Sequence, residues 1–330
     1  MSKGKNGLRL RSLKYMLELT SRCNLRCGMC PMDVLTRPFE DAPFDMVEDV
    51  ARQMRELKLP MKYLHEMGEP FLYKRLCEAI DLFPGVCVST NGTLLNERWA
   101  KDILDSSLSK LRICIDTLKP EVYPIVRKGG KFDVVVENTR RFLEMSKGKK
   151  IVVEIQRMVT TQTHDESVKS FREFFHLDRY PNGTVIQKTC EGLDTSEVTE
   201  LHQAYYGCFQ GTPYQWFVIL CNGDVTHCCY DYDGTQKLGN VRQTPIAEIA
   251  RSPFLATIEQ GFRTGDFSQL PRCAECFKNP AAKPPLTDRL WRYAQALPSS
   301  RMQTTTALHR SRIGNRSARL MRLPENKAGR

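Results

Sequence analysis

Apolar residues recur along the first two thirds of the chain in two rhythms. Short runs in which every second position is apolar alternate with longer stretches in which apolar positions fall three and four apart. Six runs of the first kind read as strands over 15–20, 62–66, 86–90, 111–116, 151–158 and 184–188. Between the first two, Val47, Val50, Ala51, Met54 and Leu57 recur at helical spacing, with Asp45 and Glu48 read as a capping pair at the start. A later helix repeats the pattern with Val135, Val136, Thr139, Phe142 and Leu143 after Asp133. Strands alternating with helices predict repeated β-α units around a parallel sheet.

Two of these strands carry polar groups where a simple core would not. Leu111, Ile113 and Ile115 alternate with Arg112, Cys114 and Asp116, and Ile151, Val153 and Ile155 alternate with Glu154 and Gln156. A polar face of this kind points into a barrel or cleft, or else to solvent at a sheet edge. After Glu191 the pattern changes. Residues 216–220 and 225–228 flank Cys221, Asn222, Gly223 and Asp224, a hairpin signal, and 246–250 reads as a short helix. The domains expected are an N-terminal basic extension at 1–13, a barrel at 14–200, a smaller unit at 201–286 and a basic tail at 287–330.

Composition narrows the class. Of 330 residues 41% are hydrophobic and 26% charged, the balance of a folded globular chain. No run of about 18 apolar residues is present, and the N-terminus lacks a signal-peptide stretch, so a cytoplasmic, membrane-free protein is expected. Thirteen cysteines in a reducing compartment point to metal chemistry rather than bridges. The net charge of +11 is concentrated in the tail, where ten Lys and Arg stand against Asp288 and Glu325. That tail reads as a solvated, disordered extension or as an arm for nucleic acid.

Cys23, Cys27 and Cys30 form C-x3-C-x2-C in the loop after the first strand, where barrel enzymes place chemistry. Three thiolates can hold three irons of a cubane cluster, leaving one iron open to a reactant; a three-thiolate zinc site is the competing reading. The stretch Cys23-Asn24-Leu25-Arg26-Cys27-Gly28-Met29-Cys30, with Met67-Gly68-Glu69-Pro70 after the second strand and Ser89-Thr90-Asn91-Gly92 after the third, resembles the radical S-adenosylmethionine (SAM) enzymes. The resemblance implies an α/β fold, a partial (β/α)6 TIM-type barrel. It also implies a [4Fe-4S] cluster on the three cysteines that chelates SAM, and a 5'-deoxyadenosyl radical. Gly68, Glu69 and Pro70 would hold the methionine end of SAM, Met29 would lie against adenine, and Asn91, Asp116 and Gln156 would complete the site.

Cys208, Gly223, Cys228 and the pair Cys273 and Cys276 are similar to the auxiliary-cluster region of the SPASM and shorter twitch subfamilies. No cysteine follows Cys276, which implies the twitch arrangement with a second [4Fe-4S] cluster fully ligated by Cys208, Cys228, Cys273 and Cys276. Cys221 and Cys229 are rival ligands, with Cys228 and Cys229 expected on opposite faces of a strand. A four-cysteine zinc ribbon is the alternative.

Twitch enzymes of this length act on aminocyclitols and aminoglycosides in antibiotic assembly, so the resemblance implies dehydrogenation or epimerisation of a small polar substrate. Ketone formation needs a base and an electron acceptor; Lys188, Arg112 and Glu154 are the bases or orienters. Epimerisation needs a hydrogen donor, for which Cys190, Cys221 and Cys229 are the thiols in reach. A flavodoxin- or ferredoxin-type reductase would be the electron donor. Peptide maturation and RNA modification are the other functions weighed.

Overall fold

Why the chain adopts parallel β-α units is visible in the burial of its alternating residues. The computed structural model describes Leu8 and residues 10–189 and 214–276. The strands are β1 (Lys14–Leu17), β2 (Met61–Tyr63), β3 (Cys87–Thr90), β4 (Lys110–Cys114), β5 (Val152–Val159), β6 (Gly183–Thr189), β7 (Trp216–Ile219), β8 (Asp224–Thr226) and β9 (Lys237–Asn240). The helices are α1 (Phe44–Glu56), α2 (Leu76–Leu82), α3 (Glu97–Asp105), α4 (Tyr123–Val126), α5 (Phe132–Met145), α6 (Val168–Phe174), α7 (Ile246–Ile249), α8 (Phe254–Thr264) and α9 (Pro271–Cys276).

One sheet runs in the order β6-β5-β4-β3-β2-β1-β7-β8-β9. Its first seven strands are parallel, and the β7-β8-β9 meander is antiparallel. This is the partial TIM-type barrel of the expectation, and all six predicted strands are present with ends moved by at most three residues. The appended hairpin is not set apart from the barrel sheet. Strand β7 pairs in parallel with β1, placing Trp216 to Ile219 beside Lys14 to Leu17.

The outer face of the sheet is apolar. Tyr15, Leu17, Leu111, Ile113, Val153, Ile155, Phe217 and Ile219 are fully buried in one core with Val47, Val50, Val135 and Phe142 of the helices. On α1 and α5 the predicted stripes are the buried ones, except that α1 ends at Glu56 and Leu57, just past it, is half-buried. The capping pair is not: α1 begins after Pro43 with no side-chain cap, and Asp45 sits inside the first turn. Proline fixes the entry of the chain, and an acid in the first turn still suits the helix dipole.

Residues in register across parallel strands share a face. The register therefore places Ser89, Arg112, Glu154 and Thr184 in one row, and Met158 beside Lys188. These polar groups occupy the face opposite the helices, which is the inside of the barrel. Cys190, Cys208 and the tail at 287–330 lie outside the described residues. Among the described residues no helix is long and apolar enough to cross a membrane.

Phe142 is a fully buried knob of α5 against the sheet. Its truncation to Ala is expected to cost about 3–5 kcal/mol, read from the midpoint and slope of urea unfolding. A loss below about 1 kcal/mol would show that α5 does not pack as described.

Candidate active site

The chemistry-bearing loops all leave the C-terminal ends of the strands. The loop after β1 carries Cys23, Cys27 and Cys30 and is tied at its start and in its middle. Arg22 pairs with Asp41 at 2.5 Å, and Arg26 N donates to Lys128 O at 2.9 Å. Within it Cys30 N donates to Cys27 O at 3.0 Å. Burial pushes the Cys30 thiol up to about 12, and the charges of Cys27 and Cys23 push the same way. Three crowded thiols of this kind ionise when cations bind them, as the irons of a cluster do.

The donor set fits such a group. Cys23 Sγ receives Leu25 N at 3.4 Å, Cys27 Sγ receives Arg127 Nη1 at 3.6 Å, Cys228 Sγ receives Tyr230 N at 3.4 Å, and Cys273 Sγ receives Gln236 Nε2 at 3.4 Å. Sulfur that accepts N–H bonds is sulfur prepared to carry negative charge. Among the described residues no three His, Cys, Asp or Glu side chains converge on one point as ligands of a single ion would. Thiolates of a cubane each bind a separate iron.

The second loop, Met67 to Pro70, presses on the first. Gly68 has φ +78°, and a Cβ there would lie 2.2 Å from Thr20 O. Only glycine permits that approach. Glu69 is buried. Burial raises its pKa, against the hydrogen bonds it accepts from Asn91 N (2.7 Å), Thr90 Oγ1 (2.7 Å) and Phe71 N (3.1 Å). Its carboxylate thus splices the Gly-Glu-Pro loop to the Thr90-Asn91 turn, while Pro70 is buried beside it. Asn91 Nδ2 donates in turn to Asn24 Oδ1 at 2.9 Å, next to Cys23. Met29 is half-buried in the cysteine loop.

Beyond β4, Asp116 is fully buried at φ +70°, a strained conformation for a side chain with a Cβ. Neither carboxylate oxygen makes a hydrogen bond, although Arg127 Nη2 lies 2.5 Å from Oδ2 as an ion pair. Oδ2 is thus taken up by the ion pair, and Oδ1 is the buried oxygen left without a partner. Gln156 is buried on the adjoining strand, and its carbonyl receives Asp116 N at 3.2 Å. Cys23, Cys27, Cys30, Gly68, Glu69, Asn91, Asp116 and Gln156 are thus gathered around the strand ends, as a cluster and its bound nucleoside would require.

The inner face below them is polar. Glu154 pairs with Lys110 at 2.6 Å and Arg112 at 2.8 Å. Burial raises the Glu154 pKa, but the hydrogen bonds from Lys110 and Arg112 outweigh it and hold the group below its ordinary value. His65 Nδ1 accepts from Ser89 N at 3.0 Å, so the proton sits on Nε2, 3.1 Å from Ser89 Oγ. Burial, then Arg112 and Lys188, lower the His65 pKa to about 3. Glu66 is pushed well above the carboxylate range by burial and by Glu18 and Cys228. Lys188 is exposed at the end of β6.

Cys228 and Cys229 do not lie on opposite faces of a strand. Strand β8 has ended at Thr226, the chain turns, and the two thiols come within hydrogen-bonding reach of each other. Cys229 packs with Met16, Val218 and Leu220 on the inner face. Cys221 is fully buried behind the hairpin, its N–H on Glu18 Oε2 at 3.0 Å and its sulfur on Arg37 at 3.3 Å. Cys273 stands near enough to Cys228 to feel its charge, and α9 ends at Cys276.

Sequence reasoning missed Arg127, His65, Glu66 and the pair Glu18–Arg37, which close at 2.5 Å with both side chains buried. None lies in a recognisable spacing. A charged residue breaking the apolar rhythm, as Glu18 does directly after β1, was the one signal available.

Residues 17–175 match the radical SAM superfamily, and residues 208–277 match the iron-sulfur cluster-binding domain known as SPASM. The chain belongs to the radical SAM superfamily. Within it, the second domain places the chain among members with an auxiliary iron-sulfur cluster site. It is 29% identical over 178 residues to a probable GTP 3',8-cyclase of Archaeoglobus fulgidus, covering 53% of this chain and 58% of that one. The chain spans less than two thirds of the length of that relative and of the other cyclases it matches. Its fold is similar to that of anSMEcpe with bound AdoMet (TM-score 0.56, 19% identity, 86% of this chain and 95% of that one). It is also similar to BtrN in complex with AdoMet and 2-DOIA (TM-score 0.50, 17% identity, 78% and 89%).

Two outcomes follow. Replacing Gly68 by Ala is expected to lower iron bound per chain about tenfold on anaerobic reconstitution, because the cysteine loop must move; unchanged iron would contradict the packing. His65 is neutral when folded down to about pH 3 but protonates near 6.5 when unfolded. The unfolded chain therefore binds more protons in that window, and stability falls as pH drops through it. His65→Gln should flatten this slope in urea melts at pH 4 to 6.5.

Proposed function

We propose that the protein is a radical SAM enzyme that removes hydrogen from a small, polar, amine- or hydroxyl-bearing substrate on the inner face of its barrel, as the first step of a dehydrogenation or an epimerisation. Cys23, Cys27 and Cys30 would hold the cluster, which together with SAM would supply the radical chemistry able to attack unactivated C–H bonds. The observation that carries this reading is the set of N–H groups aimed at the sulfurs of Cys23, Cys27, Cys228 and Cys273, which prepares both cysteine sets as ligands.

The remaining work is positional, since so reactive a species needs its target fixed and competitors excluded. Asp116 offers its Oδ1, buried without a hydrogen-bond partner, at the strand ends for a ligand hydroxyl. Arg112 is oriented by Glu154, which stays ionised, and presents the rest of its guanidinium to the lumen. Glu154 is thereby a weak base, so proton removal falls to Lys188 or Glu66. Burial raises the Glu66 pKa, and an ammonium arriving beside it would favour the charged carboxylate. Mixed charges and hydroxyls at these positions suit an aminocyclitol or amino sugar. Likeness to BtrN in fold supports the same class.

A nucleotide is the second reading, favoured by the identity to GTP 3',8-cyclase across the radical SAM domain. Reduced, cluster-loaded enzyme incubated with SAM in deuterated water decides between them. Deuterium at an inverted carbon of an aminocyclitol or aminoglycoside is the signature of epimerisation, and loss of two mass units that of dehydrogenation. A cyclised product from GTP would displace the proposal. Arg112→Ala should retain 5'-deoxyadenosine formation while product per 5'-deoxyadenosine drops about tenfold, through lost positioning.

A further inference from the structure

One short segment of the auxiliary set reaches the cysteines of the other, and the side chain at its centre belongs to no motif. Residues 228–236 run from Cys228 to Gln236. Gln236 Oε1 accepts Cys273 N at 3.1 Å and its Nε2 donates to Cys273 Sγ at 3.4 Å. Asp231 braces the turn, accepting Thr235 N at 2.9 Å and Gln236 N at 2.8 Å. Between these two anchors lies Tyr232. It is 2% exposed and packs with Met32 and Met67, and Cys23 and Cys30 flank the same apolar cluster. A residue of the auxiliary segment thus forms part of the wall around the SAM-cluster cysteines.

It is held there from several sides. Arg37, which follows Cys30 in the same loop, donates from Nε to Tyr232 O at 2.6 Å and from Nη2 to Glu18 at 2.5 Å. Asp233 Oδ1 accepts Thr36 N at 2.7 Å, and Asp233 Oδ2 pairs with Arg272 at 3.7 Å. The Arg272 guanidinium lies 4.2 Å from the centre of the Tyr232 ring, and Cys273 is the next residue. Tyr232 is therefore held by its carbonyl on the Arg37 side, which leads to Cys30, and by its ring on the Arg272 side, which leads to Cys273.

We propose that Tyr232 is a positioning residue of the SAM-binding cluster, contributed by the auxiliary-cluster segment and held by Arg37, so that the dry wall of one centre is built from the binding segment of the other. The proposal rests on the cluster reading of both cysteine sets. The physical ground is that solvent access and the apolar shell around an iron-sulfur cluster set its potential and its lability. A reduced cluster carries one more negative charge than the oxidised one and gains more from water. Admitting water beside Cys23 and Cys30 therefore makes reduction easier.

The test uses the full chain, reconstituted anaerobically, as wild type, Tyr232→Phe, Tyr232→Leu and Tyr232→Ala. The cluster at Cys23, Cys27 and Cys30 is identified as the one whose electron paramagnetic resonance signal changes when SAM is added. Expected are a midpoint moved to less negative values and about tenfold faster loss of that iron to a chelator in Tyr232→Ala. The signal of the other cluster should stay as in wild type, and Tyr232→Phe should behave as wild type throughout. Tyr232→Leu, which keeps the volume nearer the original, carries the comparison if the alanine variant does not fold. Wild-type midpoint and iron loss in both truncations would overturn the proposal and leave the cluster reading standing. A wild-type chain with no SAM-responsive signal would overturn both.

Discussion

The arrangement depends on a buried ion pair, Glu18 with Arg37, where the barrel and the auxiliary segment meet. Glu18 follows β1 and leads into the cysteine loop. Its carboxylate takes Met67 N at 3.2 Å from one neighbour and Cys221 N at 3.0 Å from the other. Arg37 spends its donors on Glu18, Cys221 and Tyr232. Two charges out of water are tolerable only with their remaining hydrogen-bonding capacity satisfied, and here the backbone and side chains of four segments do that. The same pair, then, fixes the start of the cysteine loop, the Met67-Gly68 turn and the hairpin relative to one another.

Around that junction, polar groups serve as struts more often than as open reactants. The Glu69 carboxylate is consumed by Thr90, Asn91 and Phe71, and Glu154 by Lys110 and Arg112. Among the described residues, those that stay open at the strand ends include Asp116 through its Oδ1, the Glu66 carboxyl and Lys188. A buried carboxylate in a strained backbone is costly to keep, and such costs concentrate where a ligand relieves them.

The barrel was legible in the residue pattern because burial on one face and polarity on the other have a period that local sequence records. Leu111, Ile113 and Ile115 against Arg112, Cys114 and Asp116 is such a record, and the structure has the first set in the core. Strand ends were less legible. β1 stops at Leu17 although apolar and polar residues continue to alternate, because Glu18 turns its carboxylate to Arg37 and Cys221. The α1 cap was misread for a similar reason: an acidic residue near a helix start marks the first turn as readily as the cap, and only the backbone decides.

Determined by the sequence alone were the unit type, through periodicity, and the chemistry, through cysteine spacing, since thiols three and four residues apart in one loop must stay close whatever the rest of the chain does. Only the tertiary structure decided which distant groups meet. The parallel pairing of β7 with β1, the reach of Arg127 from beyond α4 to Cys27 and Asp116, and the seat of Tyr232 beside Cys23 and Cys30 join residues far apart in the chain. Such contacts follow from the packing of whole elements, which no local pattern encodes.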